Sequence, residues 1–411
     1  MKEKSSNIGK KLITIFLILA AIFAAALFLP TDILKKVFSE EAVGKITEFR
    51  SCAFEWTDTV KEKISGTGNN GDTYVKPILK DSSGEEVSEQ TTQVEITQSA
   101  SGVQEIAASV TESLSPENTI YILGAVSSEE MEKVVQLVFS EPEFFWLDNH
   151  YSYSTEANGN VILSFKSKYS DIDVMQQQID AVADQILNTI PDGSGDYEKA
   201  LIIYSDLVNR IAYNHGESKD SDFDIYGALV EGSAVCEGYS KAFQYLMEKA
   251  GVSCDYYAGE ATNSSGTRES HSWNSAWLEG ELYYFDVTWA DQDDGEVHFD
   301  WFGITSDEML ASHSPSEAFP MEASSARGCN YYYRNGMILD SGDTQSIVSL
   351  FASQGNRADF KCSSAEVFEE FKNLLQDEYS IWSLCQMAGI SSNRWTYSFL
   401  DNLYTVHISF S

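Results

Sequence analysis

Residues 226–291 read YGALVEGSAVCEGYSKAFQYLMEKAGV followed by SCDYYAGEATNSSGTRESHSWNSAWLEGELYYFDVTWAD. The first half carries a helix. From Cys236 onward, Tyr239, Phe243, Leu246, Met247 and Ala250 recur at three- and four-residue spacing, which gathers them on one face of a 3.6-residue spiral. Gly251 supplies the stop. Ser233 is the candidate N-cap, which places Cys236 within the first turn. A thiol there faces the positive end of the helix dipole, a setting that favours a thiolate.

The second half reads as a hairpin. HSWNSAWL and ELYYFDVTW are rich in aromatic and β-branched residues, with Glu279-Gly280 as a two-residue turn between them. In that register Leu278 pairs with Glu281, His271 lies opposite Thr288 and Asp286 lies opposite Trp273. His271 and Asp286 then share a face as diagonal neighbours, whereas a three-residue loop would send them to opposite faces. Trp273, Trp277, Leu282 and Tyr284 project to the His271 side. Asn274, Ala276, Tyr283, Phe285 and Val287 project to the other. Both faces are apolar enough to be covered, and the helix starting near Cys236 is expected to pack toward the face of His271.

Taken singly, these residues have bland readings. A lone cysteine is more often a small buried hydrophobe than a nucleophile, and a lone histidine is more often structural. A carboxylate inside an aromatic strand is harder to dismiss, because burial demands a partner, and the register offers His271. A thiol on a helix start, an imidazole and a carboxylate form the nucleophile, base and orienter set of cysteine acyl transfer.

The stretch resembles the transglutaminase-like superfamily, whose members share a papain-like α+β fold. AVCEGYSKAFQYLMEKAGV is similar to that family's cysteine helix, SHSWNSAW to its histidine strand and LYYFDVTWAD to its aspartate strand. The likeness covers roughly residues 196–313. It implies Cys236 as nucleophile, His271 as base and Asp286 as orienting acid, with no substitution at any of the three. No cofactor is expected. The second donor to an oxyanion varies in the family and has no evident position here.

Around this core, 411 residues leave room for further units. A net charge of −36 argues against nucleic acid and anionic lipid headgroups as partners. Lys2, Lys4, Lys10 and Lys11 precede LITIFLILAAIFAAALFL, residues 12–29, an apolar run that can span a bilayer before Pro30. We expect a retained single-pass anchor with the body outside the cell, the alternative being secretion after signal cleavage near Ala24-Ala25-Ala26. Six cysteines without CxxC pairs signal neither a zinc site nor a dense disulfide framework. A bond between Cys236 and Cys254 would abolish the catalytic reading. The acidic run Asp291, Asp293, Asp294, Glu296 has its glycine, Gly295, one position too early for an EF-hand, and Asp192–Asp196 fails similarly, so no metal ligands are assigned.

The chain divides into residues 1–30 (anchor or signal), 31–118 (juxtamembrane segment and stalk), 119–190 (an N-terminal α+β region), 191–320 (the transglutaminase-like core) and 321–411 (a C-terminal α+β domain). Ser, Thr, Gly, Gln, Asn and Glu dominate from Ser65 to Glu117, which reads as a flexible stalk. TIYILGAV is a strand, SSEEMEKVVQLVFSEP a helix capped by Ser127, and Asn158-Gly159 the turn of a hairpin. DVMQQQIDAVADQILNTI and YEKALIIYSDLVNRIAY are helices. His298 and His313 read as structural. Beyond Cys329 a strand at CNYYYRNGMIL, a helix at DTQSIVSLFASQG, a strand at ADFKCS, a helix at AEVFEEFKNLLQ and a closing strand pair around Asp401-Asn402 suggest a small α+β domain. The functional expectation is a membrane-tethered thiol enzyme acting on peptide or protein amides at the cell surface, as peptidase, amidase or amine cross-linker. Its rival is a non-catalytic binding module on the same fold.

Overall fold

The computed structural model describes residues 93–95 and 102–411, apart from 293, 294, 377 and 393. The expected membrane anchor and most of the expected stalk lie outside these residues. Among the described residues no helix is long and apolar enough to cross a membrane. Thr91–Asp148 and Lys166–Ser411 form one compact unit, while Asn149–Phe165 belongs to another.

In the larger unit, β1 (Gln93–Glu95) pairs in parallel with β2 (Ile120–Leu123). Between them Val103–Ser113 is a helix with Ala107 and Val110 buried, so this end of the stretch read as stalk is structured. Its polar composition hid a short apolar stripe. Ser128–Ser140 is the helix expected there, and Ser127 and Glu130 exchange hydrogen bonds in a capping box. The smaller unit contains the expected hairpin, β3 (Ser152–Thr155) against β4 (Val161–Ser164).

Two helices, Ile172–Leu187 and Asp196–Arg210, lead to a short parallel pair, β5 (Ala212–Tyr213) and β6 (Ser233–Ala234). The cysteine helix follows as Cys236–Lys249. Ser233 is not its cap: that serine lies in β6, the residue preceding the helix is Val235, and no side chain caps the end. Cys236 is therefore the first helical residue.

The central sheet runs β10-β9-β8-β7-β11 in space, with β7 Cys254–Thr262, β8 Arg268–Leu278, β9 Glu281–Phe285, β10 Phe302–Ile304 and β11 His313–Pro315. The β8–β9 register pairs Leu278 with Glu281 and Asn274 with Phe285, as the sequence requires. Glu279 and Gly280 both take positive φ, 52° and 85°, the signature of a type I′ turn.

The placement of the cysteine helix differs from expectation. Asn274 Nδ2 donates to the Ser240 carbonyl at 3.0 Å, the Ser272 and Ser240 hydroxyls lie 3.1 Å apart, and the Phe285 ring meets Phe243 at 5.4 Å. These strand residues alternate with His271 and Asp286, so the body of the helix packs on the face opposite the one predicted. Phe243 and Phe285 are fully buried there, each contributing about 1.5–3 kcal/mol of transfer free energy. Apolar residues on both faces made either placement compatible with the sequence.

The C-terminal sheet runs β12-β13-β15-β14, with β12 Ile338–Leu339, β13 Arg357–Cys362, β14 Trp395–Leu400 and β15 Thr405–Phe410. Helices Thr344–Gln354, Ala365–Leu375 and Glu378–Met387 accompany it. Two details depart from the sequence reading. The tyrosine run after Asn330 is a short helix, Tyr331–Arg334, because the Asn330 side chain caps it through the N–H groups of Tyr332 and Tyr333. The Glu378–Met387 helix was not anticipated. The sheet is fixed to the core by Lys361, 2% exposed, whose Nζ lies 2.9 Å from the Glu308 carboxylate.

Candidate active site

Cys236 reaches the site through the segment that precedes it. Asp222 is fully buried, and its carboxylate accepts from Asn214 Nδ2 at 2.7 Å, the Lys219 N–H at 2.8 Å and the Ser233 hydroxyl at 2.9 Å. Its backbone carbonyl accepts the Val235 N–H at 2.9 Å. Burial pushes the Asp222 carboxyl up, but these donors outweigh it and hold it below the usual range. Two residues into the helix, a side chain at Gly238 would bring a Cβ within 2.6 Å of the Asp222 carbonyl, so only glycine lets this anchor close on the helix start. Nothing in the sequence marked Asp222 or Gly238.

His271 and Asp286 meet as the register foretold. The ladder ends at Phe285, yet Asp286 continues its direction and donates its N–H to the Trp301 carbonyl at 3.2 Å. The His271 Nε2 lies 2.8 Å from Asp286 Oδ2. Cys236 is the ring's other side-chain partner, and it joins Asp286 in raising the imidazole. Cys236 is partly exposed, and both it and Cys254 are free thiols. The three residues singled out in the sequence therefore stand together. The sheet supplies the imidazole and the carboxylate, and the helix N-terminus supplies the sulfur.

Sequence reasoning missed a fourth member. His313, 1% exposed, points Nε2 at the same Asp286 Oδ2, 3.2 Å away. Its Nδ1 lies 2.9 Å from the Ser312 hydroxyl. Nδ1 also lies 3.2 Å from the Met309 carbonyl, so both ring nitrogens are engaged. Burial pushes His313 below the ordinary imidazole range, ahead of the opposing pull of Asp286. A glycine makes the arrangement possible. Gly259 pairs with His271 on one side and Pro315 on the other, and a Cβ there would lie 2.1 Å from the Ser314 carbonyl. No motif links His313 to Asp286; only the packing of β11 against β7 brings them together.

The surroundings are buried and aromatic. Trp289 stacks on His271 with centroids 5.0 Å apart, and Trp273 and Trp301 stand edge-on to His313 at 4.8 and 5.3 Å. Asp286 is fully buried, and its second oxygen accepts the Trp289 N–H at 3.0 Å. Burial opposes its charge, but His271 and then His313 hold the carboxyl well below the usual range. Burial likewise opposes a charge on His271, and the Asp286 carboxylate outweighs it, raising the imidazole to about 10. The pair is thus arranged to hold an imidazolium beside the sulfur. Tyr213 lies close by, its hydroxyl pushed up by burial and then by the charges of Cys236, Glu269 and Asp286.

Residues 180–293 match the sequence profile of the transglutaminase-like superfamily. This part of the chain is a transglutaminase-like core, the class in which cysteine proteases and transglutaminases are found. No curated protein matches the chain. Among solved structures it is similar to a proposed cysteine protease from Cytophaga hutchinsonii, at 13% identity over 36% of this chain and 64% of that one, with a TM-score of 0.24. It is also similar to a structure described as a TGase, at 12% identity over 41% and 51% of the two chains, TM-score 0.25. A third is the periplasmic domain of TgpA from Pseudomonas aeruginosa, at 17% identity over 32% and 53%, TM-score 0.20. In each case this chain covers less than two thirds of the other.

Proposed function

We propose that the protein is a thiol acyl-transfer enzyme in which Cys236 is the nucleophile, His271 the proton carrier and Asp286 the residue that orients and charges the imidazole. The observation that supports this reading is that one histidine ring interacts with both the Cys236 thiol and a buried carboxylate. The Cys236 thiolate attacks an amide carbonyl, forming a carbon–sulfur bond as the carbonyl π electrons move to oxygen. The Cys236 N–H, which has no acceptor within the helix because it opens the first turn, donates to that oxyanion. His271 passes its Nδ1 proton to the departing amine as the C–N bond breaks, leaving a thioester. Water then releases an acid, or a second amine forms a new amide, with His271 as base in either case.

Peptide and protein amides at the cell surface are the proposed substrates, and hydrolysis is the preferred outcome because no dedicated amine site is evident among the described residues. The apolar run of residues 12–29 supports tethering to a membrane with the body outside. Incubating the protein with a peptide library and an amine donor, followed by mass spectrometry, tests the chemistry. Cleaved peptides or amine adducts that vanish in Cys236→Ala support it, and no change in either would sink it. Protease added to intact cells tests the topology: shedding of the body is expected, and full protection refutes an external location.

A further inference from the structure

Away from the catalytic centre, a second group of ligating side chains gathers where the core meets the C-terminal sheet. His298 and Asp300 come from the segment between Asp286 and β10, and His407 comes from β15. Their imidazole nitrogens and carboxylate oxygen all lie within 4.8 Å of one another. Asp300 is 5% exposed, with Oδ1 3.1 Å from His407 Nε2 and 3.0 Å from the Tyr332 hydroxyl that donates to it. Behind His407, Asp359 Oδ1 takes the Nδ1 proton at 2.9 Å. That carboxylate fixes the ring so that Nε2 faces Asp300, the outer-shell support that metal-binding histidines characteristically have. The His298 ring stands edge-on to His407, centroids 5.8 Å apart. Its backbone is held by its N–H to the Ala290 carbonyl at 3.1 Å and by the Tyr204 hydroxyl on its own carbonyl at 3.2 Å.

We propose that His298, Asp300 and His407 bind a divalent transition-metal ion of the zinc type, which ties the C-terminal sheet to the transglutaminase-like core. Two imidazoles and one carboxylate are a donor set suited to such ions, whereas calcium and magnesium call for more oxygens. Three protein ligands leave one position to water in a four-coordinate site. On binding, the ion replaces the proton between His407 Nε2 and Asp300, and that proton leaves to solvent. Asp359 keeps its bond to Nδ1. Ligands from such distant parts of the chain make the ion a staple. Tyr204, whose hydroxyl also lies 3.2 Å from the Asp286 carbonyl, connects the stapled segment to the backbone of the catalytic acid. The proposal stands whether or not Cys236 is catalytic.

The test is a calorimetric titration of the full chain with zinc, repeated in variants shown by circular dichroism to be folded. One equivalent is expected to bind. His298→Ala, which removes a half-buried ring and empties no core, should weaken binding at least tenfold, as should His407→Ala. Asp359→Asn should weaken it by about tenfold through loss of the outer-shell carboxylate. Cys236→Ala should bind as the parent does, and zinc should raise the melting temperature of the parent but not of His298→Ala. Absence of stoichiometric zinc in the parent overturns the proposal. So does undiminished binding in both histidine variants, or loss of binding in Cys236→Ala, which would place the ion in the catalytic centre.

Discussion

Replacing Asp286 by asparagine keeps the shape of a fully buried side chain and removes its charge. The Nε2–Oδ2 separation of 2.8 Å puts the centres of charge about 4 Å apart, where a unit pair at an effective dielectric of about 20 gains about 4 kcal/mol. Losing that attraction disfavours the imidazolium by about a thousandfold, and with it the proposed activation of the Cys236 sulfur. The assay needs no substrate. Iodoacetamide is applied at about pH 6, below the ordinary imidazole value, and mass spectrometry follows the adduct on Cys236. A fall in rate of roughly two to three orders of magnitude is expected in Asp286→Asn, with the protein still folded. His271→Ala should show a comparable fall. A rate within about threefold of the parent would mean that the carboxylate does not govern the imidazole, and the proposed division of roles would be wrong.

Removing His313 deprives Asp286 Oδ2 of its second hydrogen-bond partner while leaving His271 in place. His313→Gln should therefore slow alkylation of Cys236 by about tenfold, as expected for one lost hydrogen bond to a charged group, clearly less than Asp286→Asn. Gly259→Ala forces a Cβ against the Ser314 carbonyl and should destabilise the fold by about 1–3 kcal/mol in chemical denaturation. It should also slow alkylation, because β11 carries His313. The His271–Asp286 pair sets a pH window for stability. His271 is raised, so its contribution is full below about 6.5 and fades as pH rises through about 10. Asp286 is lowered, so its contribution is full above about 3.9 and fades as pH falls below that. Denaturant midpoints should drop on the alkaline side of this window, and the drop should flatten in His271→Gln.

The sequence alone determined the elements that speak through local chemistry. Helical spacing from Cys236, the Glu279-Gly280 turn and the two aromatic strands are short-range signals, and together they brought His271 and Asp286 to one face. Ser127 as a helix cap, and the Asn158-Gly159 turn, were legible for the same reason: each is satisfied within a few residues. What the tertiary structure decided depends on long-range closure. Which face of an apolar-sided sheet the cysteine helix covers follows from the contacts of Ser272, Asn274 and Phe285 with that helix, and a two-residue period cannot choose between covered faces. His313 joins Asp286 because Gly259 admits β11, and Asp222 anchors the approach to Cys236 through groups far from any motif. The tyrosines after Asn330 have strand propensity, yet the asparagine cap and the tertiary setting make them helical. His298, Asp300 and His407 belong to opposite ends of the core and the C-terminal domain. Their spacing in the chain carried no sign of a cluster, because it is packing that brings them within ligand distance.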